Sequence, residues 1–276
     1  MSQRVKRTIM GIAGVVGLTS AIAWTSIRPS HDREWIDEQR LLPHATFHDD
    51  VVTIHNVRNF RWGPGQEVRP AWETRTYRLS QIQSVWYVLT PFASDWRGPA
   101  HAFVSFGFEG GEHVAISIES RRESGEAYSI LRGMLKRFEI MYVVGDERDL
   151  IDLRVRRGED VYVYPIRASR AQVRDMFVAM MGRANDLRDR PEFYGSLANN
   201  CTTNLLVHVN SVASRKIRYG RKILLPGYSD QLAHERGLID TDLTLDSARA
   251  RFRVNERATR YAGAPDYSRR LRAVAE

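Results

Sequence analysis

The stretch Thr8–Ile27 runs for twenty residues without a charge, directly after the cations Arg4, Lys6 and Arg7. As a helix it spans about 30 Å, the thickness of a bilayer's hydrocarbon core. With the cations ahead of it, the positive-inside rule leaves the N-terminus in the cytoplasm and the rest of the chain outside. Gly11, Gly14 and Gly17, and the lack of an apolar stripe, argue against a helix of a soluble core. Two readings stay open: a single-pass anchor with Trp24 at the interface, or a signal peptide cut after Ala21-Ile22-Ala23. Either reading removes residues 1–30 from the fold and places residues 31–276 in a bacterial periplasm or its equivalent. That space is oxidising, yet the chain has one cysteine, Cys201, which has no partner within its own chain. The fold must therefore rest on a hydrophobic core without disulfides.

The composition supplies such a core. Hydrophobic residues make up 43 % of the chain and charged residues 27 %, a balance that excludes a disordered polymer and a multi-pass membrane protein. The net charge is +8, and four cations fall in the first thirty residues with no acid among them. The remainder is mildly basic, which argues against a nucleic-acid partner and suits a site beside an anionic membrane.

Residues 31–50 are polar and read as a linker or a short helix at 32–42. Residues 51–240 read as the folded domain. Alternating or continuous apolar runs predict strands at 51–55, 74–79, 83–89, 100–108, 113–120, 140–144, 150–155 and 161–166. Helical spacing predicts helices at 124–138, 170–187 and from Cys201 to about Val212. Residues 241–276 are Arg-rich and read as a peripheral helix and a frayed tail. The class is α+β, with a mostly antiparallel sheet packed on helices.

Asn200 precedes Cys201 and an apolar helix, so it is a natural N-cap that leaves the thiol at the first helical position. The free N–H groups and the helix dipole there predict a lowered thiol pKa and a site for an oxyanion. A thiolate needs a base. His208 lies two turns below Cys201 on the same helix, and the other histidines outside 100–120 fall in polar stretches or near a strand end. The candidates are His101 and His113, on a hairpin turning at Gly110-Gly111. With two turn residues His101 faces Ser120; a one-residue bulge brings Glu119 opposite it instead. Glu119 is the candidate orienting carboxylate, with Ser117 on the same face as an alternative. Arg121 and Arg122 are candidates to receive a phosphate headgroup. No pair of cysteines or histidines stands at metal-ligand spacing, and no phosphate loop or cofactor motif is present, so no metal and no cofactor are expected.

Several segments together resemble one bacterial family. They are Val51–Phe60, Trp72–Tyr77, His101–Phe108, Ala115–Arg121, Tyr142–Asp149, Asn200–Asn204 and Pro226–Tyr228, in order across about 50–240. The family is that of the N-terminal periplasmic domain of the lipoprotein N-acyltransferase Lnb. The resemblance implies a permuted papain-like, NlpC-related thiol fold in which histidine precedes cysteine. It also implies a Cys/His acyl-transfer centre, carried onto Cys201 and His101. The expected function is a periplasmic acyltransferase, anchored to the inner membrane, that acts on a lipid or lipoprotein acyl group through a thioester. Two alternatives are a cell-wall amidase or peptidase of the same fold and a non-catalytic envelope-binding module.

Overall fold

A computed structural model describes residues 24–63, 68–93 and 98–273, with a few isolated positions before residue 24. Most of the charge-free run Thr8–Ile27 lies outside the described residues. Among those described, no helix is long and apolar enough to cross a membrane. Residues 1–33 and 34–276 form two compact units, and the second holds the sheet.

The strands of the second unit are β1 (His44–His48), β2 (Val51–Arg58), β3 (Arg61–Trp62), β4 (Val68–Arg69), β5 (Trp72–Arg78), β6 (Ile82–Pro91), β7 (Ala100–Phe108), β8 (His113–Arg121), β9 (Glu139–Asp146) and β10 (Tyr162–Pro165). Eight of them form one sheet in the order β1-β2-β9-β8-β7-β6-β10, with β5 also on β2. Its ladders are antiparallel apart from a single parallel bridge, Arg58 to Gly145. The helices are α1 (Ile130–Met134), α2 (Glu147–Arg156), α3 (Arg170–Asp189), α4 (Cys201–Val212), α5 (Arg221–Leu224), α6 (Ser229–Glu235), α7 (Leu245–Phe252), α8 (Asn255–Arg260) and α9 (Tyr267–Arg272).

Helices cover both faces of the sheet, so β7 is buried at every position. On one face Ala102, Val104 and Phe106 pack with Val173, Phe177 and Met180 of α3 and Leu205 of α4. On the other, Phe103, Ala115 and Val143 pack with Leu150 and Ile151 of α2, Val254, Ala258 of α8 and Leu271 of α9. The two-residue period of a strand thus sends alternate side chains into different cores. The first core leaves an apolar cavity of about 140 Å³ between α3, α4 and the sheet.

The α+β class and the antiparallel sheet packed on helices are as the sequence predicts, and α3, α4, β7 and β8 fall where expected. Four segments differ. Residues 150–155 lie within helix α2, not a strand. Their apolar spacing fits either period, and the cap decides: Asp146 accepts the N–H of Arg148, and Glu147 and Asp149 sit in the first turn. Residues 124–138 form only the short helix α1, with Gly125 at φ 82. The span read as a linker carries a 3-10 turn at Asp37–Gln39 and strand β1, paired along β2. The tail is no frayed end: Val254, Ala258, Tyr267 and Leu271 are buried in the second core.

The hairpin turns through Glu109–Gly111, with Gly110 and Gly111 at φ 83 and 86, and its register pairs Gly107 with His113 and Phe103 with Ser117. That is one residue off a two-residue turn, and it puts Glu119 rather than Ser120 in line with His101.

Candidate active site

The rungs between β7 and β8 stop at Phe103 and Ser117. Beyond that point β7 stays paired to β6 as far as Ala100, and β8 stays paired to β9 as far as Arg121. The two central strands therefore diverge, and a polar cavity of about 330 Å³ opens at the wedge. His101, Glu119, Cys201 and Tyr194 all line it.

His101 shares a face with Phe103, whose ring centroid lies 5.8 Å from its own. Its Nε2 is 2.7 Å from Ser117 Oγ, and Ser117 Oγ donates to Glu119 Oε1 at 3.0 Å. His101 Nε2 to Glu119 Oε1 is 3.9 Å, so the serine is the link. The carboxylate also accepts from Arg154 at 3.3 Å and from the Gln39 amide at 3.0 Å. Burial favours its neutral form, but Arg154, Arg58 and the Gln39 bond outweigh burial and hold Glu119 well below the usual carboxylate range. An ionised carboxylate only accepts. Ser117 must then give its proton to Glu119 and accept from His101, which fixes the Nε2–H tautomer. The bare lone pair is left on Nδ1, which has no hydrogen-bond partner among the described residues.

Cys201 approaches from the opposite face. Asn200 caps α4: its Oδ1 accepts from the N–H of Thr203, and Thr203 Oγ1 accepts from the N–H of Asn200. The Cys201 sulfur is 3.6 Å from Thr202 Oγ1. It also receives the main-chain N–H groups of Ala102 and Thr202, so it lies at the edge of β7 where the ladder to β8 has ended. Among the described residues no hydrogen bond joins the sulfur to His101.

The resting charges differ from the expected ones. Burial pushes the Cys201 thiol up, more than Ala102, Thr202 and Arg154 pull it down. Burial, aided by Arg154 and opposed by Glu119, pushes His101 down to about 3. The sequence predicts an acidic, exposed thiol; the structure holds a neutral thiol, 5 % exposed, beside a neutral imidazole. The helix dipole is real, but desolvation is the larger effect here.

The two arginines have different surroundings. Arg122 lines the cavity. Arg121 does not: its guanidinium donates to the carbonyls of Gln39 and Arg40 at 3.0 and 2.6 Å and lies 4.1 Å over the Trp35 ring. Burial lowers it to about 10. Arg121 is thus a clamp on the 35–40 segment, outside the cavity lining. Arg154 and Arg157 line the cavity instead. They escape a sequence reading that makes 150–155 a strand. Gln39, 2 % exposed and bonded to Glu119 and Ser120, escapes one that makes 31–50 a linker. Tyr194 lines the cavity beside the thiol, and burial holds its hydroxyl neutral.

No group of histidine, cysteine and carboxylate side chains suited to a metal ion occurs among the described residues. Comparison with curated proteins and with solved structures gives no match. The profile of the family described as Lnb N-terminal periplasmic domain matches residues 69–228. That span is more than half of the chain and holds His101, Ser117, Glu119 and Cys201. The chain belongs to the family of Lnb N-terminal periplasmic domains.

Proposed function

We propose that this periplasmic domain is a Cys/His acyl-transfer enzyme with a thioester intermediate. The observation that carries the reading is the His101–Ser117–Glu119 relay opening on the same cavity as a cysteine at a capped helix N-terminus. The histidine strand precedes the cysteine helix, the order of a permuted papain-like thiol fold. The run Thr8–Ile27, as an inner-membrane anchor, keeps the domain beside lipid.

Sγ of Cys201 adds to an acyl carbonyl carbon while its proton passes to His101 Nδ1, directly as the two side chains close up or through one water. Ser117 and Glu119 stabilise the imidazolium from its Nε2 side. The N–H groups at the start of α4, with Ala102, receive the oxyanion. Collapse breaks the C–O bond, and the Nδ1 proton goes to the departing alkoxide. An incoming amine then attacks the thioester, Nδ1 takes the amine's proton, and that proton returns to Sγ as the C–S bond breaks. Water in place of the amine gives hydrolysis. Arg122 and Arg157 line the cavity mouth and suit the phosphate of a membrane lipid.

The experiment is mass spectrometry of the full chain after incubation with phospholipid vesicles. A mass gain of one acyl group on the Cys201 peptide is expected, absent in Cys201→Ala and slowed in His101→Ala. The buried, neutral thiol favours one second reading, a non-catalytic module that binds an envelope component. An unmodified Cys201 after prolonged incubation decides for that module.

A further inference from the structure

The apolar cavity and the polar cavity each reach the first turn of α4. Cys201 lines the polar one, and Thr202 lines the apolar one. Only 3.6 Å separates the Cys201 sulfur from Thr202 Oγ1. Beyond Thr202 the wall is Val85, Val104, Val173, Met176, Leu205 and Val209. The polar side chains in that wall are engaged with protein, and the one charged residue, Arg167, is turned to the rim, where it donates to Asp240 at 3.0 Å with its side chain 58 % exposed. Tyr87 OH and Ser229 Oγ are 2.6 Å apart, and the Gln172 amide donates to the Val212 carbonyl at 3.0 Å. The space is half open and its wall offers water few partners, so it suits an apolar occupant that enters from the surface. A space of about 140 Å³ holds several methylenes.

We infer that this cavity is the binding site for the alkyl chain of the acyl group, with the carbonyl end at Cys201. The inference rests on the acyl-transfer reading only in naming the sulfur as the reacting end. Chain binding itself needs no chemistry. The polar cavity then takes the charged part of the same donor, with Cys201 and Thr202 at the junction of the two halves. The partition fits a lipid acyl donor better than a peptide, whose backbone polar groups find no partners between α3 and α4.

The test is a thermal unfolding titration of the full chain with octanoate, and with propionate as the short-chain control. Octanoate should raise the melting temperature with the logarithm of its concentration, and propionate should not. Ala233→Phe and Val209→Met each put bulk into the cavity from a different helix, and each should abolish the octanoate shift while the chain still unfolds cooperatively. Saturating octanoate should also slow alkylation of Cys201 by iodoacetamide at least tenfold. Equal shifts with both acids, an octanoate shift kept in both variants, or equal alkylation with and without octanoate would each overturn the inference. Loss of the acyl adduct with the octanoate shift intact would instead overturn the acyl-transfer reading alone.

Discussion

Ser117 stands between an imidazole and a carboxylate that do not reach each other, and it is fully buried. Ser117→Ala removes the acceptor for Nε2–H and frees the ring to change tautomer. Turnover should fall, with KM nearly unchanged, by less than the 10²- to 10⁴-fold expected for His101→Ala. Steady-state kinetics of the two variants at one pH checks the order; equal activity of Ser117→Ala and wild type would remove the serine from the relay. Glu119→Gln has a heavier consequence. Arg154 would lose the nearer of its two carboxylates, keeping Glu159 at 3.9 Å, in a site where the Arg154 and Glu119 side chains are 11 and 13 % exposed. Leaving one member of a buried pair wholly uncompensated costs about 3–5 kcal/mol; with Glu159 retained the loss should be smaller, but the melting temperature should still fall along with turnover. At this scale the sequence is informative about chemistry that repeats at fixed spacing. His101, Glu119 and Cys201 are legible from strand alternation and a cap. Arg154 and Gln39 are not, because they come from segments whose local pattern points to the wrong element. The thiol's charge state is not legible either, since it depends on how much of the chain covers it.

α4 is set by its own first turn. Asn200 is 5 % exposed and closes a reciprocal box with Thr203, while its Nδ2 donates to the Ser196 carbonyl at 2.7 Å. Asn200→Ala should cost about 1 kcal/mol, with Asn200→Asp closer to wild type; the midpoint of urea unfolding reads both. α2 shows where pattern reasoning stops. Leu150-Ile151-Asp152-Leu153-Arg154-Val155 alternates well enough for a strand, but a strand there needs a neighbour with a free edge. Asp146 starts a helix before that choice arises. The same helix then delivers Arg154 to Glu119, so one misread element hides one cavity wall. The hairpin differs in kind: both strands are legible, and only the turn geometry decides which of Glu119 or Ser120 lines up with His101.

The molecule keeps several histidines neutral in its interior. His101 is pushed down to about 3 and His208, under the Tyr142 hydroxyl, to about 4, chiefly by burial; His113 and His44 are lowered in the same direction. Below about pH 6.5 the unfolded chain takes up protons that the folded chain refuses. Stability is therefore full above that pH and falls as the pH drops toward 4. At pH 5 His101 and His208 should each subtract about 2 kcal/mol. Urea midpoints at pH 7 and pH 5 test this, and equal midpoints would contradict it.

Protein interior screens charge far less than water does, so a field crosses a β-sheet from one face to the other. Beside Ala102, where the rungs between β7 and β8 are missing, groups of both faces also share one cavity. The field of Arg154, on a helix of one face, reaches the sulfur at the tip of a helix on the other and favours its ionised form. A neutral residue at position 154 should make the thiol ionise at higher pH. The electrical setting of the nucleophile is thus written partly in a helix that never touches it, and a search for its determinants confined to α4 would miss them.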